Sequence, residues 1–126
     1  MSDKTFELLV KQAETKDQFG RIYPLEELQR ICDKLNNKMV FGELDPTSEL
    51  MINVLKVSHS ISGARIHDGK LYCTFKILDT PRGNLLAQLT DTAYIRPAMR
   101  LLAKVADNGT VTECDLVAVD FYTNKL

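Results

Sequence analysis

Apolar residues alternate at Phe6, Leu8 and Val10 within "KTFELLVKQAE". That period suits a half-buried strand, and the stretch is also compatible with a short helix. The charged "ETKDQFGRIYP" reads as a loop punctuated by Gly20 and Pro24. In "PLEELQRICDKLNNK" the period changes: Leu25, Leu28, Ile31, Cys32 and Leu35 recur at helical spacing and form one apolar face. Pro24 suits the first helical turn, and Glu26 and Glu27 lie at the positive end of the helix dipole. Asn36–Asn37 ends the run.

The centre returns to a strand pattern. Met51, Asn53, Leu55 and Val57 alternate with Ile52, Val54 and Lys56, and a turn is expected near Gly63. "HDGK" is a hairpin signal, because Asp-Gly accepts the positive φ of a tight turn. Beyond it Leu71, Cys73, Phe75 and Ile77 alternate with Lys70, Tyr72, Thr74 and Lys76. "DTPRG" reads as a turn and "NLLAQLTDTAYI" as a short helix. The remainder reads as two strands joined at Asp107–Asn108–Gly109, the second alternating Val111, Glu113 and Asp115 with Thr112, Cys114 and Leu116. The sum is an α+β fold: a single mixed, mostly antiparallel β domain with two helices over residues 1–126. The phases predict a core of Leu28, Ile31, Leu35, Leu55, Val57, Phe75, Ile77, Leu86, Leu116 and Val119.

Composition narrows the chemistry. A chain of 126 residues, 44% hydrophobic, is long enough to bury a core without staples. Sixteen basic and 17 acidic residues leave a net charge of −1, with no run of Lys or Arg, so neither nucleic acid nor a membrane surface is an expected partner. No apolar run approaches the ~20 residues of a membrane span, and the charged N-terminus lacks a signal-peptide core, so an intracellular site of synthesis is expected. Cys32, Cys73 and Cys114 are too far apart in sequence for metal-ligand spacing, and their odd number argues against a disulfide framework. Reduced thiols acting as small apolar groups are expected, with no metal and no cofactor.

His59 and His67 are the only histidines. His67 precedes the Asp68–Gly69 turn and reads as a solvated hairpin residue. His59 lies in "VSHSIS" among Ser58, Ser60 and Ser62. Neighbours on a regular strand point to opposite faces, which argues against a Ser58–His59 pair. There is no nucleophile elbow and no phosphate-binding glycine loop.

Several stretches, in order, resemble one family. "FGRIYPLEELQR" resembles the "NGRIYP" opening and helix of the prohead proteases of tailed bacteriophages, and "FGELDP" resembles their "GELDHP". "VLKVSHSISGARIHDGKLYCTFKILDTPRGNLLAQL" resembles their "VSH-x-I" strand, hairpin and "ILDTPxGxxL" segment. "AMRLLAKV" and "DLVAVDFYTN" resemble "SSRGLGxV" and the closing "L-x-x-x-D-x-V-x-x-P". The likeness runs from about Phe19 to Asn124.

The resemblance implies a herpesvirus-protease-like serine protease fold that processes scaffold and capsid proteins in the immature head. The family's histidine follows the Asp of "GELDHP", and its serine precedes the Arg of "SSRG". Here Asp45 runs into Pro46, and Ala98 and Met99 precede Arg100. Leu101 and Ala103 replace the glycines of "RGLG", so an oxyanion hole is not expected there. A chain without base and nucleophile loses most of the rate. The implied function is a catalytically inactive structural or binding module, capsid- or scaffold-associated, in the virion or prohead and made in the host cytoplasm. A homo-oligomer is the implied assembly. Glu43, Asp45, Ala98, Met99 and Arg100 are the degenerate site and candidate binding surface. Two alternatives stand: an active protease using His59 with Ser58 or Ser60, and a phage-encoded inhibitor of a host enzyme.

Overall fold

A computed structural model describes residues 4–47, 51–92 and 94–123. Six strands and two α-helices follow one another as β1 (Thr5–Gln12), α1 (Leu25–Asn37), β2 (Val40–Glu43), β3 (Val57–His67), β4 (Lys70–Ile77), α2 (Pro81–Leu89), β5 (Ile95–Val105) and β6 (Val111–Thr123). Strands β1, β4, β3 and β2 form an antiparallel sheet in that order, and β5 and β6 form a two-stranded ribbon. The architecture is the expected α+β one.

The ribbon docks on the sheet where β2 runs out. Leu44 bridges Phe121 in parallel, and Asp45 N–H donates to the Phe121 carbonyl at 2.7 Å. Phe121 stands edge-on to Phe75, ring centroids 4.6 Å apart, and packs on Phe6 and His59. Those rings join sheet to ribbon, since aromatic pairs at this spacing add attraction beyond their buried area.

Helix α1 lays Leu28, Ile31, Cys32 and Leu35 onto β3 and β6. Leu25, placed on the same face by the pattern, is exposed because it opens the helix, a turn before the buried face begins. Glu27 is buried instead. Its carboxylate accepts Cys114 N–H at 3.0 Å and pairs with Arg30, and the Cys114 bond is the first contribution that lowers its pKa against the cost of burial. Asn36 at the other end bonds both main-chain groups of Ala64, at 2.9 Å each. It thereby satisfies β3 beyond Ile61, the last β3 residue that β2 pairs.

Four expectations are corrected. Residues 54–56 form a short 3-10 helix rather than strand, because the Asn53 side chain accepts Leu55 N–H at 3.0 Å and turns the chain. Leu55 is consequently 82% exposed. Gly63 is no turn: β3 continues through it with a register shift, and the turn comes at Asp68–Gly69, φ 51° and 72°. "DTPRG" starts α2 rather than forming a separate turn, with Thr80 Oγ1 capping Gly83 N–H at 2.9 Å and Pro81 in the first turn. Ile77 is only partly buried, since it ends β4 at the rim of the core. The other expected core residues are buried. In β6 the alternation breaks at Glu113, φ 52°, so Val111 and Leu116 both face inward although five positions apart.

Candidate functional site

The start of β3 holds a bulge that sequence reasoning missed. Gly42 pairs with His59 while Glu43 pairs with Val57, so Ser58 is the extra residue. A bulge breaks the strict alternation of faces, and Ser58 and His59 both turn inward. Their side chains meet: Ser58 Oγ lies 2.6 Å from His59 Nδ1, which corrects the expectation that adjacency forbids the pair. His59 Nε2 lies 2.7 Å from the Val119 carbonyl. A carbonyl only accepts, so Nε2 carries the proton and Nδ1 accepts the serine hydroxyl. Burial pushes the His59 pKa down to about 4, against an opposing effect of the Val119 bond.

This is the hydrogen-bond pattern of an activated hydroxyl, but both residues are 0% exposed. Main chain closes over them from two sides. A Cβ at Gly42 would collide with the Val119 carbonyl and the His59 ring, and a Cβ at Gly83 would collide with the Leu78 and Ser58 carbonyls. Both glycines are therefore needed for close backbone approach.

Glu43, Arg100 and Asp120 form a second cluster. Arg100 grips Asp120 with two bonds, Nε to Oδ2 at 2.9 Å and Nη2 to Oδ1 at 2.6 Å, and reaches Glu43 Oε2 at 3.0 Å. Asp120 Oδ1 also accepts Glu43 N–H at 2.9 Å, and Glu43 Oε2 accepts Asn53 N–H at 3.0 Å. The bonds to Asp120, then those to Glu43, raise the Arg100 pKa against desolvation, so the guanidinium stays charged. Asp45, held at φ 52°, takes Thr123 N–H and Oγ1 at 2.8 Å each. Glu43 and Asp45 thus bind β2 and its exit to the ribbon.

Ala98, which pairs with Asp120 across the ribbon, and Met99 line a cavity of about 370 Å³ between β1, the loop over residues 13–23 and β5. Lys11, Asp17, Phe19, Arg21 and Arg96 contribute to the same cavity. Of the five candidate residues, Glu43, Asp45 and Arg100 do not line this cavity. Ser60 and Ser62 border a shallower groove elsewhere, beside Met39 and Phe41, and Ser62 Oγ donates to the Thr74 carbonyl at 3.3 Å. His67 is exposed at its hairpin, 3.3 Å from Asp68.

Asp120 lay within "DLVAVDFYTN" without being singled out. Its sequence signal was a single acid among apolar neighbours. Arg21 entered only as part of "FGRIYP", and Arg96 carried no signal. Among the described residues, no group of three or more His, Cys, Asp or Glu could hold a metal ion, and no helix is long and apolar enough to cross a membrane.

The sheet, ribbon and two helices together make a prohead-protease-like fold. The solved structure that carries this likeness is the bacteriophage T4 capsid assembly protease, gp21, with a TM-score of 0.81 and 20% identity over 94% of this chain and 80% of that one. No protein-family model matches the chain, and no curated protein matches it.

Proposed function

We propose that this chain is a non-hydrolytic member of the capsid-protease-like fold, acting as a binding module on a phage capsid or scaffold lattice in the prohead or virion. The observation that supports it most is what stands at the cavity. Ala98 and Met99 occupy its wall, where the family resemblance places the nucleophile, and Pro46 follows Asp45 where it places the base. Neither alanine nor methionine supplies an attacking oxygen. A lattice of many identical partners would let weak contacts add through effective concentration.

The 2.6 Å Ser58–His59 contact favours a second reading, a protease with relocated groups. Complete burial weighs against it, since the hydroxyl must reach a scissile carbonyl. A fluorophosphonate probe tests both, with the intact protein expected to remain unlabelled. Stoichiometric labelling at Ser58 would replace the proposal with the second reading. Mass spectrometry of purified proheads and virions tests the lattice role: the chain is expected among their constituents, and its absence from both would refute it.

A further inference from the structure

We infer that the groove between the end of α1 and the outer face of the sheet is a docking site for an acidic amphipathic helix of another protein. The groove holds about 540 Å³. The chain leaves α1 through Lys38, in extended conformation, and enters β2 at Val40, so Met39 stands at the corner between helix and sheet. Val40 turns into the core, and its neighbour Phe41 faces outward. Met39 is 76% exposed and Phe41 38%, and Leu35 and Leu78 complete the apolar part of the wall. Large apolar side chains left open to water beside one groove mark a contact surface.

The geometry selects a helix. Phe41 pairs with Ser60 and Ser60 with Lys76, so the three stand side by side on one face of β2, β3 and β4. All three line the groove, which therefore crosses the strands. Strands lie about 4.8 Å apart, so Phe41 to Lys76 spans about 10 Å, close to two turns of α-helix. A strand added to the sheet would run along β2 instead. Ser60 in the middle is small and lets a helix approach. The charge selects the flank. Lys38 stands at the corner and Lys76 on β4, and among the described residues that line the groove none is acidic. A docking helix with acids about two turns apart beside its apolar stripe meets both ammonium groups. Helices α1 and α2 bury their own apolar stripes, Leu28, Ile31 and Leu35 in one and Leu86 in the other, so among the described residues a second copy of this fold has no such helix to offer.

The inference rests on the reading of the chain as a binding module, yet the two fail separately: proheads and serine probes test that reading, and peptides test the groove. The probes are three end-blocked peptides of about 15 residues, long enough for a marginal helix, and an oligothymidylate. The first peptide carries leucines at helical spacing with flanking glutamates. The second replaces those glutamates by lysines. The third is the first with a central proline, which breaks the helix. Each probe is titrated into the isotope-labelled, full-length protein and followed by amide chemical shifts. The glutamate peptide should bind saturably, shift Met39, Phe41 and Ser60, and bind about tenfold or more tighter than the lysine and proline peptides. Lys38→Glu, which leaves the main-chain bond from Lys38 N–H to the Lys34 carbonyl in place, should narrow the margin over the lysine peptide several-fold. The inference is overturned if the glutamate peptide leaves those amides unmoved, or if the lysine or proline peptide matches it. It is also overturned if oligothymidylate shifts the same amides at lower concentration, which would make the groove part of a nucleic-acid surface. The comparison of peptides on the unaltered protein needs no variant to fold.

Discussion

Acidification should destabilise this protein through His59 before its carboxylates matter. The ring is wholly buried, with Nε2–H spent on the Val119 carbonyl and Nδ1 on the Ser58 hydroxyl, so a second ring proton would have to displace Ser58 as donor. Its pKa is about 4 in the fold against 6.5 in the unfolded chain. The unfolded state therefore takes the proton first. Stability is fully present above the unfolded value, falls as pH drops from 6.5, and levels off, as far as this residue is concerned, below about 4. The whole interval corresponds to about 3 kcal/mol, of which about 2 kcal/mol is lost between pH 7 and 5. Urea unfolding followed by circular dichroism at pH 7, 6 and 5 measures it. His59→Gln, neutral throughout and able to donate to Val119, should be less stable at pH 7 but nearly pH-independent over that window. Parallel pH slopes for the two proteins would refute the assignment of the loss to His59.

Gly42→Ala should cost about 3 kcal/mol or prevent folding, because its methyl has to displace the Val119 carbonyl or the His59 ring; chemical denaturation reads it. Arg100→Met leaves Glu43 and Asp120 buried without their cation, and should cost about 3–5 kcal/mol in the same assay. Adding Glu43→Gln and Asp120→Asn to that variant should recover part of the loss. Thr80→Ala removes the cap of α2 and the 2.6 Å bond to the Val57 carbonyl; a fall of about 1–2 kcal/mol is expected, read as a lower melting temperature. Cys73, buried with its thiol pushed up to about 12, should resist a disulfide reagent until the protein unfolds.

The elements themselves were legible in the sequence wherever one period or one turn signal acted alone. Helix α1, the β3–β4 hairpin at Asp68–Gly69 and the β5–β6 hairpin all lie where the pattern places them. Each depends on neighbours within a few residues, and such preferences act before any tertiary contact forms. Two of the misplaced elements are ones in which a short side chain overrode the pattern. Asn53 capped a 3-10 turn inside an apolar alternation, and Thr80 made a helix start from a turn-like stretch.

The functional region was decided almost wholly by tertiary structure. Sequence determined which groups exist: two histidines, no histidine after Asp45, and Ala98–Met99 before Arg100. It could not determine that an inserted residue at Ser58 would turn two neighbours to one side, since that depends on the register with Gly42. Nor could it pair Glu43 with Arg100, 57 residues away, or bring Asp17, Arg21 and Arg96 to the wall of one cavity. Local sequence biases φ, ψ and the face a side chain takes. Which charges meet is settled by how strands far apart in the chain pack together.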